Sequence, residues 1–285
     1  MSDSLYIIGN GFDLYHELKT SYVSFRDEYV KKHPQFQKQL YDIYGDVLDQ
    51  DMWWSHFEVM LGHIDYKHLM NTNNGNALGP FITKNLLRNV IPFHFGEWIK
   101  TVFDPHKLDK KLLLEDDSLF FTFNYTMVLE QTYHIEEADV WHIHNSVTDY
   151  ILKGNNPVVG HDLNDAELTK GMIEYRNQHP ETTSFYIDDV NQMAKEGAKK
   201  VQYIIANNES KFYDLYSDIK HFIVMGFSFN EIDLPYIKKI IAVNKDIAHT
   251  DWKIYYHSDG EDLKIREVME RLGVCEGQIL PLIKW

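Results

Sequence analysis

Cysteine is almost missing from this chain: Cys275 stands alone among 285 residues. One thiol cannot make an intrachain disulfide, a cysteine-rich zinc site or an iron–sulfur cluster. Such scarcity fits a reducing compartment, and the expected location is cytoplasmic. Positive charge is also short, with 28 Lys and Arg against 43 Asp and Glu, a net −15. That balance opposes general nucleic-acid binding and docking on an anionic membrane. No apolar run approaches the roughly 18 to 20 residues that span a bilayer. The N-terminus lacks a basic stretch followed by an apolar one, so no secretory leader is expected. Aromatic residues, by contrast, are plentiful at 14%, which argues against disorder. The chain is long enough for one large or two small domains and for a core that needs no staples.

Leu5-Tyr6-Ile7-Ile8 is a short apolar run stopped by Gly9-Asn10-Gly11, which predicts a buried strand entering a tight turn. Residues from about 21 to 103 carry helical spacing. Tyr22, Phe25, Tyr29 and Val30 form one set, and Trp54, Phe57, Glu58 and Leu61 begin another. Pro80 opens a third, with Phe81, Leu86, Leu87, Val90 and Ile91 on its apolar side, after a predicted loop at Asn71 to Gly79. The adjacent Trp53 and Trp54 read as helix packing. Leu119 to Phe123 is the next strand and stops at Asn124; a helix from about Tyr125 to His134 and a strand from Val140 to His144 follow. Residues from roughly 163 to 217 read as helical and polar, with room for a strand near 201–205. Phe222 to Met225 is a third apolar strand, ended by Gly226. A helix from about Ile232 to Val243, a strand Trp252 to Tyr256, a helix Leu263 to Leu272 and a short strand Ile279 to Ile283 complete the pattern.

Crossovers of this length imply parallel pairing, and continuous apolar strands imply a sheet covered on both faces. The expected fold is α/β: a doubly wound, mostly parallel, Rossmann-like sheet. It is read as a single domain over 1–285, with two mostly helical insertions at about 21–115 and 162–217.

Ligands of such sheets sit outside the carboxyl ends of the strands, so the residues that end each strand are the candidates. In Gly9-Asn10-Gly11-Phe12-Asp13, glycines allow close backbone approach, and a following helix end offers N–H groups to a phosphate. Leu14 prevents a full G-x-G-x-x-G, and no P-loop lysine is present. The same residues also read as a plain turn with Asp13 as a capping or first-turn acid. Asn124 can hydrogen-bond a ribose hydroxyl or a water, or cap the next helix. His142 and His144 share one face if both lie on a strand, which suits a general base, a ribose contact or a metal pair. With His161 and Asp162 they would form a metallohydrolase set, although the spacing matches no zinc signature. The last candidate is Gly226-Phe227-Ser228-Phe229-Asn230-Glu231-Ile232-Asp233. Here Ser228 or Asn230 can cap a helix, Asp233 suits its first turn, and the Gly226 and Ser228 backbone can meet a phosphate or ribose. Ser228 lacks the flanking glycines of a nucleophile elbow. Glu115-Asp116-Asp117 reads as a solvated loop, and nothing marks Cys275 as a nucleophile.

Taken in order, these segments resemble the AbiH family of phage-defence proteins. Ile7-Ile8-Gly9-Asn10-Gly11-Phe12-Asp13-Leu14 is similar to its N-terminal signature, and Lys19-Thr20-Ser21-Tyr22 with Phe25 to the segment after it. Phe123-Asn124-Tyr125-Thr126, His142-Ile143-His144 and Gly226 to Asp233 complete the likeness. The order also resembles a divergent sirtuin-like nucleotide-binding core. That resemblance implies dinucleotide contacts from Gly9, Asn10, Gly11, Phe12, Asp13, Gly226, Phe227, Ser228 and Asp233, with Asn124 and His144 catalytic. Asn145 stands where the pattern has glycine. One cysteine cannot build the zinc module of sirtuin deacylases, so deacylation is not expected.

The implied activity is that of an abortive-infection effector, a toxin that binds NAD and hydrolyses it to nicotinamide and ADP-ribose. It would need no metal or added cofactor, and it would act as a homo-oligomer or with a defence-system partner. Two alternatives stand beside it: a nucleotide-binding sensor or partner subunit without catalysis, and a metal-dependent phosphoesterase or nuclease on His142, His144, His161 and Asp162.

Overall fold

The computed structural model describes residues 2–72, 83–102, 108, 109, 111–115, 117–180, 184–258 and 260–285. Pro80, Phe81, Asp116 and most of the Asn71–Gly79 loop expectation lie outside them. The chain divides into two compact units. The first comprises Met1–Thr20, Thr101–Gly154 and Lys200–Trp285; the second comprises Ser21–Lys100 and Asn155–Lys199.

The first unit holds a six-stranded sheet of β1 (Ser4–Ile8), β2 (Leu119–Thr122), β3 (Val140–His142), β4 (His221–Met225), β5 (Asp251–Tyr256) and β6 (Ile283–Lys284). Its order is β3-β2-β1-β4-β5-β6, and every pairing is parallel. This is the doubly wound α/β arrangement expected from the crossover lengths, with the reversal of strand order between β1 and β4. Alternate residues explain the unbroken apolar runs. Leu5, Ile7, Phe121, Phe222, Val224, Trp252 and Ile254 face one core, shared with Phe212 and Tyr216 and with Tyr236, Ile237, Ile240, Ile265 and Met269 from later helices. Tyr6, Ile8, Phe120, Ile223 and Met225 face the other, against Phe12, Val128, Leu129 and Tyr133. Both faces are covered, so both phases of the central strands are mainly apolar.

Several boundaries differ from expectation. After Asn124 only Val128–Thr132 is helical, a π-helical turn. β3 ends at His142, so Ile143 and His144 lie in the turn beyond it. The run at 201–205 is helix, Val201–Asn207. Val201, Ile204 and Ile205 all pack on the sheet core, which is helical spacing; a short apolar run alone does not distinguish the two periods. The helix expected from Ile232 starts at Leu234, where Pro235 occupies the first turn and Asp233 is the N-cap residue. Proline suits that turn, where its missing N–H is no loss. The last strand is only Ile283–Lys284, and Ile279 makes a single isolated bridge to Trp252.

The second unit is helical among its described residues, with an aromatic core. Phe25 lies 5.0 Å from Trp98 and 5.4 Å from Phe95, and Trp54 stacks on Phe57 at 5.2 Å. Trp53 and Trp54 are both buried, the packing role expected of them. Buried in the same unit, Lys199 Nζ lies 3.2 Å from Glu58 Oε1. No described helix is long and apolar enough to cross a membrane.

Candidate functional site

Adjacent strands carry their carboxyl-end residues to neighbouring positions, so β3, β2, β1 and β4 bring the sequence candidates of the first unit to one sheet edge. At the reversal between β1 and β4 the two turns are joined by backbone. The Gly9 N–H donates to Met225 O at 3.0 Å and the Gly11 N–H to Gly226 O at 2.9 Å. Gly226 has φ +65°, and a Cβ there would lie 2.2 Å from Phe12 N. A Cβ on Gly11 would lie 2.6 Å from Gly226 Cα. The glycines therefore serve the approach of one turn to the other. The Phe12 N–H is also engaged, donating to Gly9 O at 3.0 Å. Three N–H groups of the turn, those of Gly9, Gly11 and Phe12, thus already have acceptors.

Asp13, in the first turn of the helix Asn10–Tyr15, is 1% exposed and reaches across to the end of β2. Its Oδ1 accepts from Asn124 Nδ2 at 2.9 Å, and its Oδ2 accepts from Thr126 Oγ1 at 2.8 Å. Burial pushes this carboxyl up to about 7; the bonds from Thr126 and Asn124 offset only part of that rise. Asn124 is therefore no helix cap: the residue preceding the next helical turn is Met127, and the Asn124 amide is committed to Asp13. Its Oδ1 is buried without a hydrogen-bond partner, which costs about 1–3 kcal/mol until a donor meets it.

His142 and His144 do not act as a pair, because the chain turns after β3 and the two-residue period ends there. His142 Nδ1 donates to Asn124 O at 2.8 Å, and Nε2 lies 2.7 Å from Glu130 Oε1. Burial opposes charge on His142, but Glu130 and the Asn124 carbonyl outweigh it and raise the imidazole above its ordinary value. His144 instead sits among Phe123 and Tyr236, 5.5 Å from each ring. Its Nε2 is 3.6 Å from Asp233 Oδ1, an electrostatic contact too long for a hydrogen bond. Asn145 has φ +64°, the left-handed backbone that glycine would supply and that asparagine tolerates.

Phe227 stacks on Phe123 at 4.7 Å, tying the β4 turn to the end of β2. Phe229 has φ +53°, a strained value for a bulky side chain, of order 1–3 kcal/mol. Ser228 is exposed, and neither it nor Asn230 is the N-cap of the following helix, a position Asp233 holds without a side-chain capping bond. His161 and Asp162 belong to the second unit, where His161 Nε2 donates to Ala194 O at 2.8 Å. Among the described residues no group of three or more His, Cys, Asp or Glu is placed to hold a metal ion.

Three participants were not singled out by sequence. Thr126 stood inside a quoted motif without a role. Glu130 carried one usable signal, an acid directly after Val128-Leu129. His16 is buried, with Nδ1 2.7 Å from Phe12 O and Nε2 2.7 Å from Tyr133 OH; burial lowers its pKa and keeps it neutral.

The chain matches the family model described as "Bacteriophage abortive infection AbiH" over residues 5–85 and 81–256. No curated protein matches it, and no solved structure does.

Proposed function

The chain belongs to the AbiH family of bacteriophage abortive infection, and from that premise we propose that it binds a dinucleotide at the carboxyl edge of β1 to β4 and hydrolyses NAD there. The observation that supports this reading is the meeting of the strand-end residues. Asp13 clasps Asn124, Phe227 stacks on Phe123, His144 faces Asp233, and Gly11 is bonded to Gly226. In the reaction the bond between ribose C1′ and the nicotinamide nitrogen breaks, and its electron pair leaves with neutral nicotinamide. Water adds to C1′ of the oxocarbenium-like centre and gives up a proton. Asn124 orients the water or a ribose hydroxyl, and His144 takes the proton or contacts the ribose. With a net charge of −15, the phosphates would be met in a local site rather than by a basic surface, by N–H groups other than those of Gly9, Gly11 and Phe12, which have backbone acceptors. The effector would act alone, as a homo-oligomer or with a partner protein.

The test incubates the full chain with NAD, before and after phage challenge, and follows nicotinamide and ADP-ribose. Release that survives both Asn124→Ala and His144→Ala would sink the residue roles. No release in any state would sink the catalytic reading.

A second reading is a sensor that binds a nucleotide without turnover. It is favoured by the burial of Asp13, Asn124 and His144, each no more than 7% exposed. It predicts that NAD raises the melting temperature while remaining intact.

A further inference from the structure

We propose that Glu130, His142 and Asp13 are positioning residues that hold Asn124 so that its Oδ1 is presented as a fixed hydrogen-bond acceptor to a hydroxyl or water. This rests on the reading of Asn124 as the residue that handles ligand.

Three of the four polar groups of Asn124 are engaged. Its N–H donates to Thr122 Oγ1 at 3.1 Å, its C=O accepts from His142 Nδ1 at 2.8 Å, and its Nδ2 donates to Asp13 Oδ1 at 2.9 Å. Oδ1 alone has no partner, and Asn124 is 7% exposed. The orientation of the amide is not arbitrary. With Asp13 ionised both of its oxygens accept, one of them from Thr126, and the NH2 group of Asn124 then faces Asp13 while its oxygen faces away.

The main chain is held by a charged pair. The Asn124 carbonyl only accepts, and so does the Glu130 carboxylate when ionised; against an ionised Glu130 both ring nitrogens of His142 carry hydrogen and the ring is an imidazolium. The His142 and Glu130 side chains are 8% and 7% exposed, which leaves solvent little part in screening them. Neighbouring charges enter on both sides: Asp149 also acts on His142, while Glu130 and His142 act on Asp13 in opposite senses. An acceptor held by its main chain and its side chain is preorganised, which lowers the barrier at the chemical step more than it strengthens binding.

The test uses the full chain in two arms. In the first, ¹⁵N-histidine spectra assign His142 by its loss in His142→Phe. Both ring nitrogens are expected to be protonated at pH 7.5 in the wild type, and one to lose its proton in Glu130→Ala. A neutral wild-type His142 overturns the proposal. In the second, nicotinamide release by Glu130→Ala and Asp13→Ala is expected to fall about a hundredfold in kcat, with KM changed less than about threefold. Glu130→Gln, which keeps an acceptor oxygen, restores most of the loss. Wild-type kcat in Glu130→Ala overturns the proposal. A wild type that releases no nicotinamide removes the catalytic reading but not this one, which the spectra then decide.

Discussion

Replacing Gly226 with alanine tests whether the join between the β1 and β4 turns organises the sheet edge. The new Cβ would lie 2.2 Å from Phe12 N, 2.5 Å from Gly11 C and 2.7 Å from Gly11 Cα. All three are backbone atoms, so no side-chain rotation relieves the clash. Gly226 also has φ +65°, which costs an alanine roughly 1–2 kcal/mol. Forcing the turns apart adds about 1–3 kcal/mol, giving a total of about 2–5 kcal/mol. Gly154 is the control: its φ is +68°, but a Cβ there meets nothing within 4 Å. Gly154→Ala should therefore cost only the backbone part, about 1–2 kcal/mol. Because the chain has two compact units, bulk unfolding can mix their transitions. Hydrogen exchange of the Tyr6 to Ile8 and Ile223 to Met225 amides reads the sheet directly. Equal losses of protection in the two variants would refute the steric argument, and Gly226 would then matter only for its φ.

Other outcomes follow from the same geometry. The Asp13 carboxyl titrates at about 7 in the folded chain, above its ordinary 3.8, so the native state binds more protons between about pH 4 and 7. This group's contribution is thus present at low pH and falls as pH rises through that window. Asp13→Asn should remove the fall: wild-type minus variant stability, measured by urea titration, drops by a few kcal/mol from pH 4 to 7, at about 1.4 kcal/mol per unit, and then levels. A gap that rises instead would mean the carboxylate is the stable form. In the second unit, Lys199→Met leaves the part-buried Glu58 without this cation and should cost up to about 3 kcal/mol, with Lys199→Met/Glu58→Leu recovering most of it; equal thermal shifts for the single and double variants would contradict this. Asn124→Ala should leave the Asp13 carboxylate with the Thr126 bond alone and raise its pKa further, as carbon NMR of the carboxyl would register.

Much of the architecture was legible because apolar pattern and burial share a cause. β1, β2 and β4 could be read from Leu5 to Ile8, Leu119 to Phe123 and Phe222 to Met225, since a strand buried on both faces is mainly apolar in both phases. The short elements were not, as at Val201 to Ile205, where five residues fit either period. The candidate site was legible as a list of strand ends and illegible as a set of partners. Asn124 looks like a cap in sequence because asparagine before a helical stretch usually is one. Asp13, 111 positions away, turned it to a different bond, and no local pattern carries that information.

The sequence alone determined that this chain forms a sheet covered on both faces, that its polar strand ends lie at one edge, and that it carries the AbiH signature. Those properties depend on residue type and short-range order. Tertiary structure decided which strand ends touch. It separated His142 from His144 by ending β3 at His142, paired Glu130 with His142, spent the glycines on each other, and gave Asp13 its burial. Each depends on groups brought together by strand order, and their hydrogen bonds and desolvation exist only once the sheet has formed.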